Sequence, residues 1–531
     1  MIETDVLVVG AGPAGLATAI KLKRMSPETH VVVLDKGRSI GSHILSGAIV
    51  DPSGFAGFLT PDEVSQMPCE AKVVKESFRS LFTAKWSFRI PWMPPMMSSK
   101  GYPVVSLTKV VAWLGQIALK SGAEVYTGYA VTELVEENGR IVGARTGAKG
   151  LDKDGNRKSN YLPPEEIRAK VVVLAEGGCG ILTEKLIADK GLQGARPPTY
   201  ALAIKELIDV PAGTQTAGEV MHTFGWPSDF HTYGGGFVYH VSETQVMVGY
   251  AYALDYARAE IDPFALFRRF KSAKPVARHI RGGKTVAYGA KVIPEGGFYA
   301  IPKPYAPGCI IVGDGAGLLD SLRIKGVHIA FQSGVAAAEA IFDELRGGKG
   351  LETYPDRLAQ IPGWKEIERV RNVRAAFSWG MPYGVMAAGL AWATFGKFPS
   401  FRVPGCDEGD ATSLRPLNRA KLRREQANAI EASPLQPDRL TDVFMSGTIH
   451  EEDQPCHLKL KDPSVCARCA ETYGAPCTRF CPAEVYRWEE GRLQIDFSNC
   501  LHCKTCRIKC PHGNVDWTFP QGGDGPRYTR M

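Results

Sequence analysis

Four cysteines late in the sequence have a spacing that suits an iron–sulfur cluster. Cys500, Cys503, Cys506 and Cys510 form the pattern C-x2-C-x2-C-x3-C, and Pro511 follows the last of them. Bacterial ferredoxins use this spacing, and there the first three cysteines bind one cluster while the fourth reaches a different one. The first three cysteines therefore need a fourth thiolate from elsewhere in the chain.

A cysteine just upstream meets that need. Cys481 precedes Pro482, as the last cysteine of a ferredoxin series does. We name Cys481, Cys500, Cys503 and Cys506 the first quartet and predict that it binds a [4Fe–4S] cluster. Zinc is the alternative, but three cysteines in C-x2-C-x2-C spacing are uncommon in structural zinc sites.

Exchange of the fourth ligands leaves another set of four cysteines. We name Cys466, Cys469, Cys477 and Cys510 the second quartet; the first three are spaced C-x2-C-x7-C. Two interpretations follow from the spacing alone. The second quartet either binds a second [4Fe–4S] cluster, as in a two-cluster ferredoxin, or consists of free thiols beside a single cluster.

The opening segment has the pattern of a dinucleotide-binding unit. An apolar run at 5–9 is followed by Gly10, Gly12 and Gly15 and then by a helical pattern. Such glycines permit a tight turn, let the backbone approach a pyrophosphate and pack the helix on the strand. The helix N-terminus offers free N–H groups to the phosphates. A second strand ends at Asp35, whose carboxylate suits ribose hydroxyls.

Two later strand-and-turn junctions favour FAD over a nicotinamide cofactor. One is the glycine turn of 171–180, and the other, at 309–320, continues into Gly313, Asp314 and a helix. In this order the junctions resemble the glutathione-reductase-type flavoproteins of the hydroxylase and geranylgeranyl-reductase kind. In those proteins the Gly-Asp pair binds the ribityl and phosphate groups of the flavin.

Composition weighs against some classes of protein. The 531 residues suffice for two or three domains, and 22% charged with 44% hydrophobic residues is ordinary for a globular protein. The net charge is +7, but no basic stripe with interleaved aromatic residues predicts nucleic-acid binding. We expect no secretory signal, so the thirteen cysteines favour a reducing compartment and metal ligation.

Several blocks of sequence resemble one known family, the electron transfer flavoprotein–ubiquinone oxidoreductases. The blocks are SHILSGAIVDP (42–52), HTYGGGFVYH (231–240), GGKTVAYGAKVIPEGGF (282–298), RIKGVHIAFQSGVAAAEAIF (323–342), SGTIHEEDQPCHL (446–458) and LHCKTC (501–506). The resemblance covers nearly the whole chain. It implies one FAD, one [4Fe–4S] cluster on the first quartet, and a quinone site on a protein that lies in one membrane leaflet.

The second quartet departs from that family, whose members carry an acidic residue at the position of Cys510. This part of the chain also resembles a Fix-type flavoprotein fused to its small two-cluster ferredoxin. Proteins of that kind belong to electron-bifurcating complexes, so the departure leaves the number of clusters and the direction of electron flow open.

The motifs and the resemblance together predict the residues of each site. Those expected to bind FAD are Gly10, Gly12, Pro13, Ala14, Gly15, Asp35, Lys36, Ser46, Gly47, Gly177, Gly313, Asp314 and Gly326. The quinone is expected at Tyr233, Gly234 and Gly235, because a glycine run lets a planar ring approach the backbone. Thr478 is predicted to donate a hydrogen bond to a cluster sulfur.

Two apolar stretches predict contact with a membrane surface. Residues 375–396 carry no charge, but Pro382 and several glycines interrupt them, so a surface-lying segment fits better than a span. Residues 90–97 contain three prolines, which forbid a regular helix and predict an apolar loop. In the family, the equivalent stretches frame the quinone tunnel. We expect a peripheral or monotopic protein on the cytoplasmic face of the bacterial inner membrane.

These observations predict an enzyme that transfers electrons from reduced electron transfer flavoprotein, through the cluster and FAD, to membrane quinone. The cofactors supply the redox chemistry, and the flavin matches a one-electron donor to a two-electron acceptor. One alternative is a Fix-type subunit of a bifurcating complex with two clusters. Another is a geranylgeranyl-reductase-like FAD oxidoreductase, which does not need the cysteines. A redox sensor that does not reduce quinone is the third.

The predicted fold is α/β together with α+β. A discontinuous FAD-binding domain is expected at 1–80, 105–200 and 285–345, with an inserted quinone domain of antiparallel sheet at 201–284. A helical covering and membrane-associated segment is expected at 346–445. A ferredoxin-like iron–sulfur domain is expected at 446–531.

Overall fold

The structure is a computed structural model that describes residues 2–213, 215–323 and 325–531. Its first sheet is mainly parallel and has, in spatial order, the strands Tyr305–Ala306, Cys309–Ile311, Glu166–Leu174, Ile2–Val9, Val31–Asp35 and Glu124–Thr127. Strands Val131–Glu137 and Arg140–Thr146 form a hairpin that pairs with Glu166–Leu174. The central strands are buried on both faces, which explains their continuous runs of valine and leucine.

Helices cover this sheet and contribute to its core. Helix Pro13–Met25 follows the first strand, and helix Val327–Leu345 packs directly against helix Pro13–Met25. Leu107–Lys120 lies beside them, and Ile181–Asp189 follows the central strand Glu166–Leu174. Parallel strands release their chain at one sheet edge, so the turns that precede these helices gather there.

The second sheet has seven strands and is almost entirely antiparallel. In spatial order they are Lys284–Pro294, Tyr200–Asp209, Gln245–Ala253, Gly234–His240, Glu219–Gly225, Lys75–Leu81 and Ser87–Ile90. Helices Pro263–Ser272 and Lys274–Ile280 pack against one face. An antiparallel second sheet is what the sequence predicts for the quinone domain.

The sheet extends beyond the range expected for that domain. Strand Lys284–Pro294 pairs with Tyr200–Asp209 along nearly its whole length, although 285–345 is assigned above to the FAD-binding domain. Strand Lys75–Leu81 also joins this sheet, by parallel pairing with Glu219–Gly225, although it begins inside the expected range 1–80. The cause is long-range strand pairing, which local sequence patterns do not record.

Short helices follow helix Val327–Leu345 in the chain. They are Tyr354–Gln360, Pro362–Arg369, Val373–Phe377, Met381–Ala393, Arg419–Ala427 and Arg439–Met445. Within the described residues, no helix combines the length and the apolar character that a membrane crossing requires.

The last part of the chain is small and rich in turns. It contains helices Pro463–Tyr473, Cys477–Phe480 and Thr505–Lys509, and two strand pairs: Leu458–Leu460 with Val515–Trp517, and Tyr486–Glu489 with Arg492–Ile495. Its buried residues share one core with the second sheet, and this core includes Phe480, Trp517 and all of the first quartet.

Candidate functional site

The glycine turn after the first strand has the geometry that its spacing predicts. A Cβ on Gly10 would lie 2.3 Å from the Ala175 carbonyl oxygen, and a Cβ on Gly15 would lie 2.1 Å from the Gly10 carbonyl oxygen. Gly12 differs, since its Cβ would meet only the Ile44 side chain, at 3.8 Å. Gly10 and Gly15 thus serve close packing, whereas Gly12 faces a large cavity, where a Cβ would take space from a ligand.

Asp35 has a structural role that the sequence does not reveal. Its two carboxylate oxygens accept hydrogen bonds from the backbone N–H of Ala11, at 2.9 Å, and of Gly37, at 2.7 Å. The carboxylate therefore joins the first turn to the second strand, and it also lines the cavity. Each oxygen has a second lone pair, so these bonds leave it able to accept from a ribose hydroxyl.

Three lysines surround this end of the cavity, of which Lys504 is buried and Lys36 and Lys291 are partly buried. Burial, and then the neighbouring Lys504, lower the pKa of Lys36 to about 7. Burial likewise lowers the pKa of Lys291, against the opposing effect of Asp314. The Lys504 ammonium donates to the Cys179 carbonyl, at 2.7 Å. Ammonium groups at this end of the cavity can pair with an anionic ligand such as a pyrophosphate.

The other residues predicted for FAD lie around the same cavity. Pro13 and Ala14 form the first turn of helix Pro13–Met25, which has no acidic residue there to compete with phosphates. Gly313 has a positive φ of 62° and donates its N–H to the Ser333 hydroxyl, at 3.0 Å. The remaining cavity-lining members of the predicted set are Ser46, Gly47, Gly177, Asp314 and Gly326.

The residues around this cavity fit FAD. The cavity has a glycine face at a helix N-terminus and a group of cationic side chains. Two buried ring nitrogens at its wall, Nδ1 of His43 and Nε2 of His502, have no hydrogen-bond partner among the described residues. A polar cofactor would supply such partners, and buried polar groups rarely stay unpaired.

The structure brings the first quartet together. Cys481, Cys500, Cys503 and Cys506 are all buried, and each is a free thiol. Burial, and then the nearby Cys503, raise the pKa of Cys481 to about 12. Burial, with Cys500 as the next cause, also raises the pKa of Cys506. Gathered thiols of this kind are stable as thiolates only with a positive partner, so the donor set fits an iron–sulfur cluster.

Hydrogen-bond donors surround these thiols, but Thr478 is not among them. The Thr478 hydroxyl donates to the Ala475 carbonyl, at 2.9 Å, so that prediction is wrong. The backbone N–H of His502 donates to the Cys500 sulfur, at 3.4 Å, and the Thr505 hydroxyl lies 3.4 Å from the Cys503 sulfur. Donors to sulfur raise the reduction potential of a cluster.

One cavity joins these parts of the molecule. It has a volume of about 750 Å³, and its wall includes the glycine turn, the Cys503 side of the first quartet and the strand beginning at Gly234. Trp517 of the C-terminal part also lines it, with the Lys36 ammonium 5.1 Å from the centre of the Trp517 ring. The two predicted cofactor sites therefore adjoin one another.

The residues predicted for the quinone lie in this wall. Gly234 and Gly235 begin strand Gly234–His240, which pairs with Glu219–Gly225 on one side and with Gln245–Ala253 on the other. Their missing side chains are needed for packing, because a Cβ on Gly235 would lie 2.5 Å from the Thr223 carbonyl oxygen. The Tyr233 hydroxyl donates to the Ser321 carbonyl, at 2.7 Å, and its ring lies against Phe377.

The far end of the cavity opens among exposed apolar side chains. Trp92 and Trp392 line the cavity and are 68% and 47% exposed. We name as the apolar rim the exposed side chains Trp92, Trp379, Tyr383, Val385, Met386, Leu390, Trp392, Phe395, Phe398 and Phe401. They come from the two stretches predicted above to contact a membrane and from the residues just after the second stretch. Of the 90–97 stretch, Ile90 ends a strand and Pro95–Met97 forms a 3-10 turn.

Sequence reasoning missed a group of buried aromatic residues between the first quartet and the cavity. His450, His457 and His502 have ligand-capable atoms within 4.8 Å of one another, and the His450 ring nitrogen lies 2.9 Å from the Cys500 carbonyl oxygen. Trp517 packs edge-on against His457 and His502. The histidines of the 446–458 and 501–506 blocks were the available signal, but only the fold brings these two blocks together.

Family models match three parts of the chain. The model described as "Electron transfer flavoprotein-ubiquinone oxidoreductase, 4Fe-4S" matches residues 433–529, and the model "ETF-QO, ubiquinone-binding" matches 200–293. The model "NAD(P)-binding Rossmann-like domain" matches 8–63. These matches cover the cysteine quartets, five of the seven strands of the second sheet almost completely, and the glycine turn.

Among solved structures, the similarity extends to the fold. A geranylgeranyl bacteriochlorophyll reductase-like protein from Thermoplasma acidophilum is 18% identical, with a TM-score of 0.54, and covers 81% of this chain and 97% of its own. A myxobacterial chondrochloren halogenase, an FAD-dependent enzyme, is 17% identical with a TM-score of 0.51, over 85% and 99%. The fold is thus that of FAD-dependent oxidoreductases.

Similarity to curated proteins extends over the full length. The mitochondrial electron transfer flavoprotein–ubiquinone oxidoreductase of Arabidopsis thaliana is 38% identical, over 100% of this chain and 85% of its own. The mouse protein of the same name is 37% identical, over 100% and 89%. With the cavity geometry and the two specific domain matches, this similarity shows that the chain belongs to the electron transfer flavoprotein–ubiquinone oxidoreductase family.

Proposed function

We propose that this chain oxidises reduced electron transfer flavoprotein and reduces a membrane quinone, with FAD and a [4Fe–4S] cluster as its internal carriers. The observation that most supports this function is the single cavity. It is lined by the glycine turn, by Cys503 of the first quartet and by Tyr233-Gly234-Gly235, and it opens at the apolar rim. Ligands bound at these positions would therefore share one cavity.

The residues of the chain have distinct tasks in this function. Gly12 and the first turn of helix Pro13–Met25 leave room and N–H donors for the pyrophosphate of FAD. Lys36 and Lys291 offset its charge. The first quartet holds the cluster, and His502 N–H and Thr505 stabilise the negative charge on its sulfurs. When bound, the cluster supplies one-electron transfer and FAD supplies storage of two electrons.

At the quinone end, the chain positions an apolar substrate. The glycines of Gly234–His240 keep this part of the wall flat, and Tyr233 is held in place by its bond to Ser321. Reduction of one quinone to a quinol takes two electrons and two protons. The donor delivers electrons singly, so each turnover needs two transfers from it.

The apolar rim is proposed to rest on a membrane surface. Its aromatic side chains are exposed to solvent in the structure, and Phe395 reaches 71%. A monomeric soluble protein rarely exposes a continuous apolar patch of this kind without a partner. Trp92, Val385 and Trp392 of the rim also line the quinone end of the cavity, so a quinone could pass from the bilayer into the cavity without crossing water. A position on the cytoplasmic face of a bacterial inner membrane remains part of the proposal.

The test is a coupled assay with anaerobically reduced electron transfer flavoprotein and a short-chain quinone. Wild-type protein is expected to reduce the quinone, and Cys503→Ser is expected to lose the iron of the first quartet and this activity while it keeps FAD. Cys456→Ser is the matched control, since Cys456 lies outside both quartets and bonds only locally, to Leu458. Wild-type protein that binds FAD and iron but does not reduce quinone would instead support the redox-sensor alternative.

A further inference from the structure

The second quartet is also assembled, from three separate elements. Cys466 and Cys469 are three residues apart on helix Pro463–Tyr473, so they share one face. Cys477 begins the short helix Cys477–Phe480, and Cys510 follows the end of helix Thr505–Lys509. All four line one small cavity, together with Phe480 and Trp488.

Neither disulfides nor zinc explains this arrangement. All thirteen cysteines are free. Tetrahedral zinc, with Zn–S bonds of about 2.3 Å, would hold its thiolates about 3.8 Å apart. Within the described residues, only the histidine group His450, His457 and His502 has three ligand-capable atoms within 4.8 Å of one another. No three cysteines of either quartet meet that limit among the described residues, so the arrangement favours the larger ligand sphere of a cluster over a single ion.

A built hydrogen-bond system faces the second quartet. The buried Asn514 donates its backbone N–H to the Cys510 sulfur, at 3.3 Å, and its side-chain amide to the Cys466 sulfur, at 3.4 Å. Asn514 is fixed by two further bonds to Asp462: its amide donates to the Asp462 carbonyl, and its own side-chain oxygen accepts from the Asp462 N–H. Thiolates that bind a cluster accept N–H bonds of this kind.

The two quartets are linked through two short helical turns. The Cys481 N–H donates to the Cys477 carbonyl, at 3.3 Å, so one turn carries a cysteine of each quartet. The Cys510 N–H donates to the Cys506 carbonyl, at 3.2 Å, and forms the matching turn. This is the exchange of fourth ligands that ferredoxins with two clusters use. Metal groups at the two quartets would thus be neighbours joined by these turns.

The quartets differ in depth. All four cysteines of the first quartet are buried, and Cys503 touches the large cavity. In the second quartet, Cys466 and Cys477 are only partly buried, and the small cavity has no lining residue in common with the large one. The second quartet therefore lies on the solvent side of the first.

We propose that Cys466, Cys469, Cys477 and Cys510 bind a second [4Fe–4S] cluster, which is the outer relay between a protein electron donor and the first quartet. Each transfer moves one electron from the reduced flavin of the donor to the outer cluster and then to the inner one. No bond is made or broken at either cluster, and two transfers match one quinone reduced. The relay role rests on the proposed function, whereas the cluster itself does not.

The experiment is the iron, zinc and acid-labile sulfide content per FAD of anaerobically purified protein, with EPR spectra after reduction. Two cubanes predict about eight irons, and Cys466→Ser or Cys469→Ser should reduce this to about four and remove the spin coupling between the clusters. The control Cys456→Ser should keep about eight. Cys503→Ser should keep about four, now on the second quartet.

Other results overturn the proposal. About four irons in the wild type, unchanged in Cys466→Ser, would make the second quartet free thiols. About one zinc, lost in Cys466→Ser, would make it a structural metal site. The iron content of the wild-type protein decides by itself between one and two clusters, whether or not the variants fold. It also does not depend on activity: eight irons without quinone reduction would reject the proposed function and keep the second cluster.

Discussion

The two ends of the large cavity differ in how they bind. At the dinucleotide end the wall is made of backbone and buried charge: Gly10 and Gly15 approach other backbone atoms closely, and Lys36 and Lys291 are enclosed. At the other end the apolar rim is exposed, with Trp92 at 68% and Met386 at 66%. The dinucleotide end fits a single charged ligand, whereas the apolar rim offers an exposed apolar surface for contact with a partner.

This difference determines how each end should respond to mutation. A site built from close backbone contacts fails when a single carbon is added, because the backbone cannot move aside cheaply. An apolar surface has no such geometry, so its contribution falls gradually with the area removed. Changes at the dinucleotide end should therefore be nearly all-or-none, and changes at the rim should be graded.

The largest effect is expected at Gly15. In Gly15→Val the new Cβ would lie 2.1 Å from the Gly10 carbonyl oxygen and 3.1 Å from the Ala175 side chain, so folded flavoprotein should not be recovered. Gly12→Ala is the matched control, because its Cβ would meet only Ile44, at 3.8 Å. It should fold with a stability within about 1 kcal/mol of wild type but bind FAD at least about tenfold more weakly.

FAD content, FAD titration and thermal unfolding of the FAD-depleted proteins separate the two variants. If Gly12→Ala bound FAD as tightly as wild type, the pyrophosphate would not lie at this turn. If Gly15→Val were recovered with full FAD, the close packing of the turn would not be needed for the fold.

At the apolar rim, the triple variant Trp92→Ser, Met386→Ser and Phe401→Ser should weaken binding to liposomes. Burial of a large apolar side chain is worth about 1.5 to 3 kcal/mol, so each replacement should cost about tenfold or more. Leu162→Ser is the control, since Leu162 is 50% exposed but lies on the separate hairpin strand Arg157–Leu162. Cosedimentation of single, double and triple variants tests whether the loss is graded.

Two outcomes would contradict the proposed difference between the dinucleotide end and the rim. Undiminished sedimentation of the triple variant would mean that the rim is not the membrane contact. A complete loss in one single variant, with no further effect of the others, would mean that the rim binds one ligand at a defined site, as the dinucleotide end does.

The sequence predicts well where chemistry fixes the spacing of residues along the chain. Gly10, Gly12 and Gly15 all lie in one turn, and Cys500, Cys503 and Cys506 lie in one loop and helix, so their geometry is local. Cys481 could also be found, because the ferredoxin pattern demands a ligand of its kind. A surface position for 90–97 and 375–396 was predicted from composition, since prolines and glycines interrupt these uncharged stretches and disfavour a membrane span.

Other features depend on distant pairing and could not be predicted. His43 and Trp517 meet at one cavity although far apart in sequence. Strand Lys284–Pro294 belongs to the second sheet because of its pairing with Tyr200–Asp209. Thr478 failed for a local reason: its hydroxyl bonds the carbonyl of Ala475, three residues earlier, a competing bond that serine and threonine often make.

Between the two ends, Lys205 offers a pH-dependent test. Its ammonium donates to the Ser46 carbonyl, at 2.8 Å, and burial lowers its pKa to about 7. The unfolded chain, with a lysine pKa of about 10.4, then binds more protons than the folded chain between these values. Stability should therefore rise with pH from about 7 to about 10, and the cost of the buried charge is fully present below about pH 7.

Lys205→Met should remove this contribution. The variant should gain stability relative to wild type near neutral pH, and the gain should shrink toward about pH 10, by up to several kilocalories per mole, since one pKa unit is worth about 1.4 kcal/mol. Urea unfolding midpoints across this range measure it, with the exposed Lys100→Met as control. Parallel pH profiles of wild type and Lys205→Met would show that folding does not shift the pKa of Lys205, and would contradict its burial away from water.

The smallest effect is expected at Tyr233, where the two kinds of wall meet. Tyr233→Phe removes the hydrogen bond to the Ser321 carbonyl but keeps the ring against Phe377 and below the Arg374 guanidinium, 5.3 Å from its centre. The loss of one such bond should cost about 1 kcal/mol of stability. Because the ring still shapes the wall, the KM for a short-chain quinone should rise by only about threefold with kcat nearly unchanged.

Tyr383→Phe, at a 49% exposed position on the rim, is the matched control. It should change neither the stability nor the KM for the quinone. A fall in kcat of about a hundredfold in Tyr233→Phe, with stability intact, would contradict a purely positioning role. The phenol would then take part in quinone reduction itself, and the quinone end would depend on one atom, as the dinucleotide end does. An unchanged kcat with a raised KM would instead place Tyr233 with the apolar rim, as a surface that holds the ring of the substrate without reacting with it.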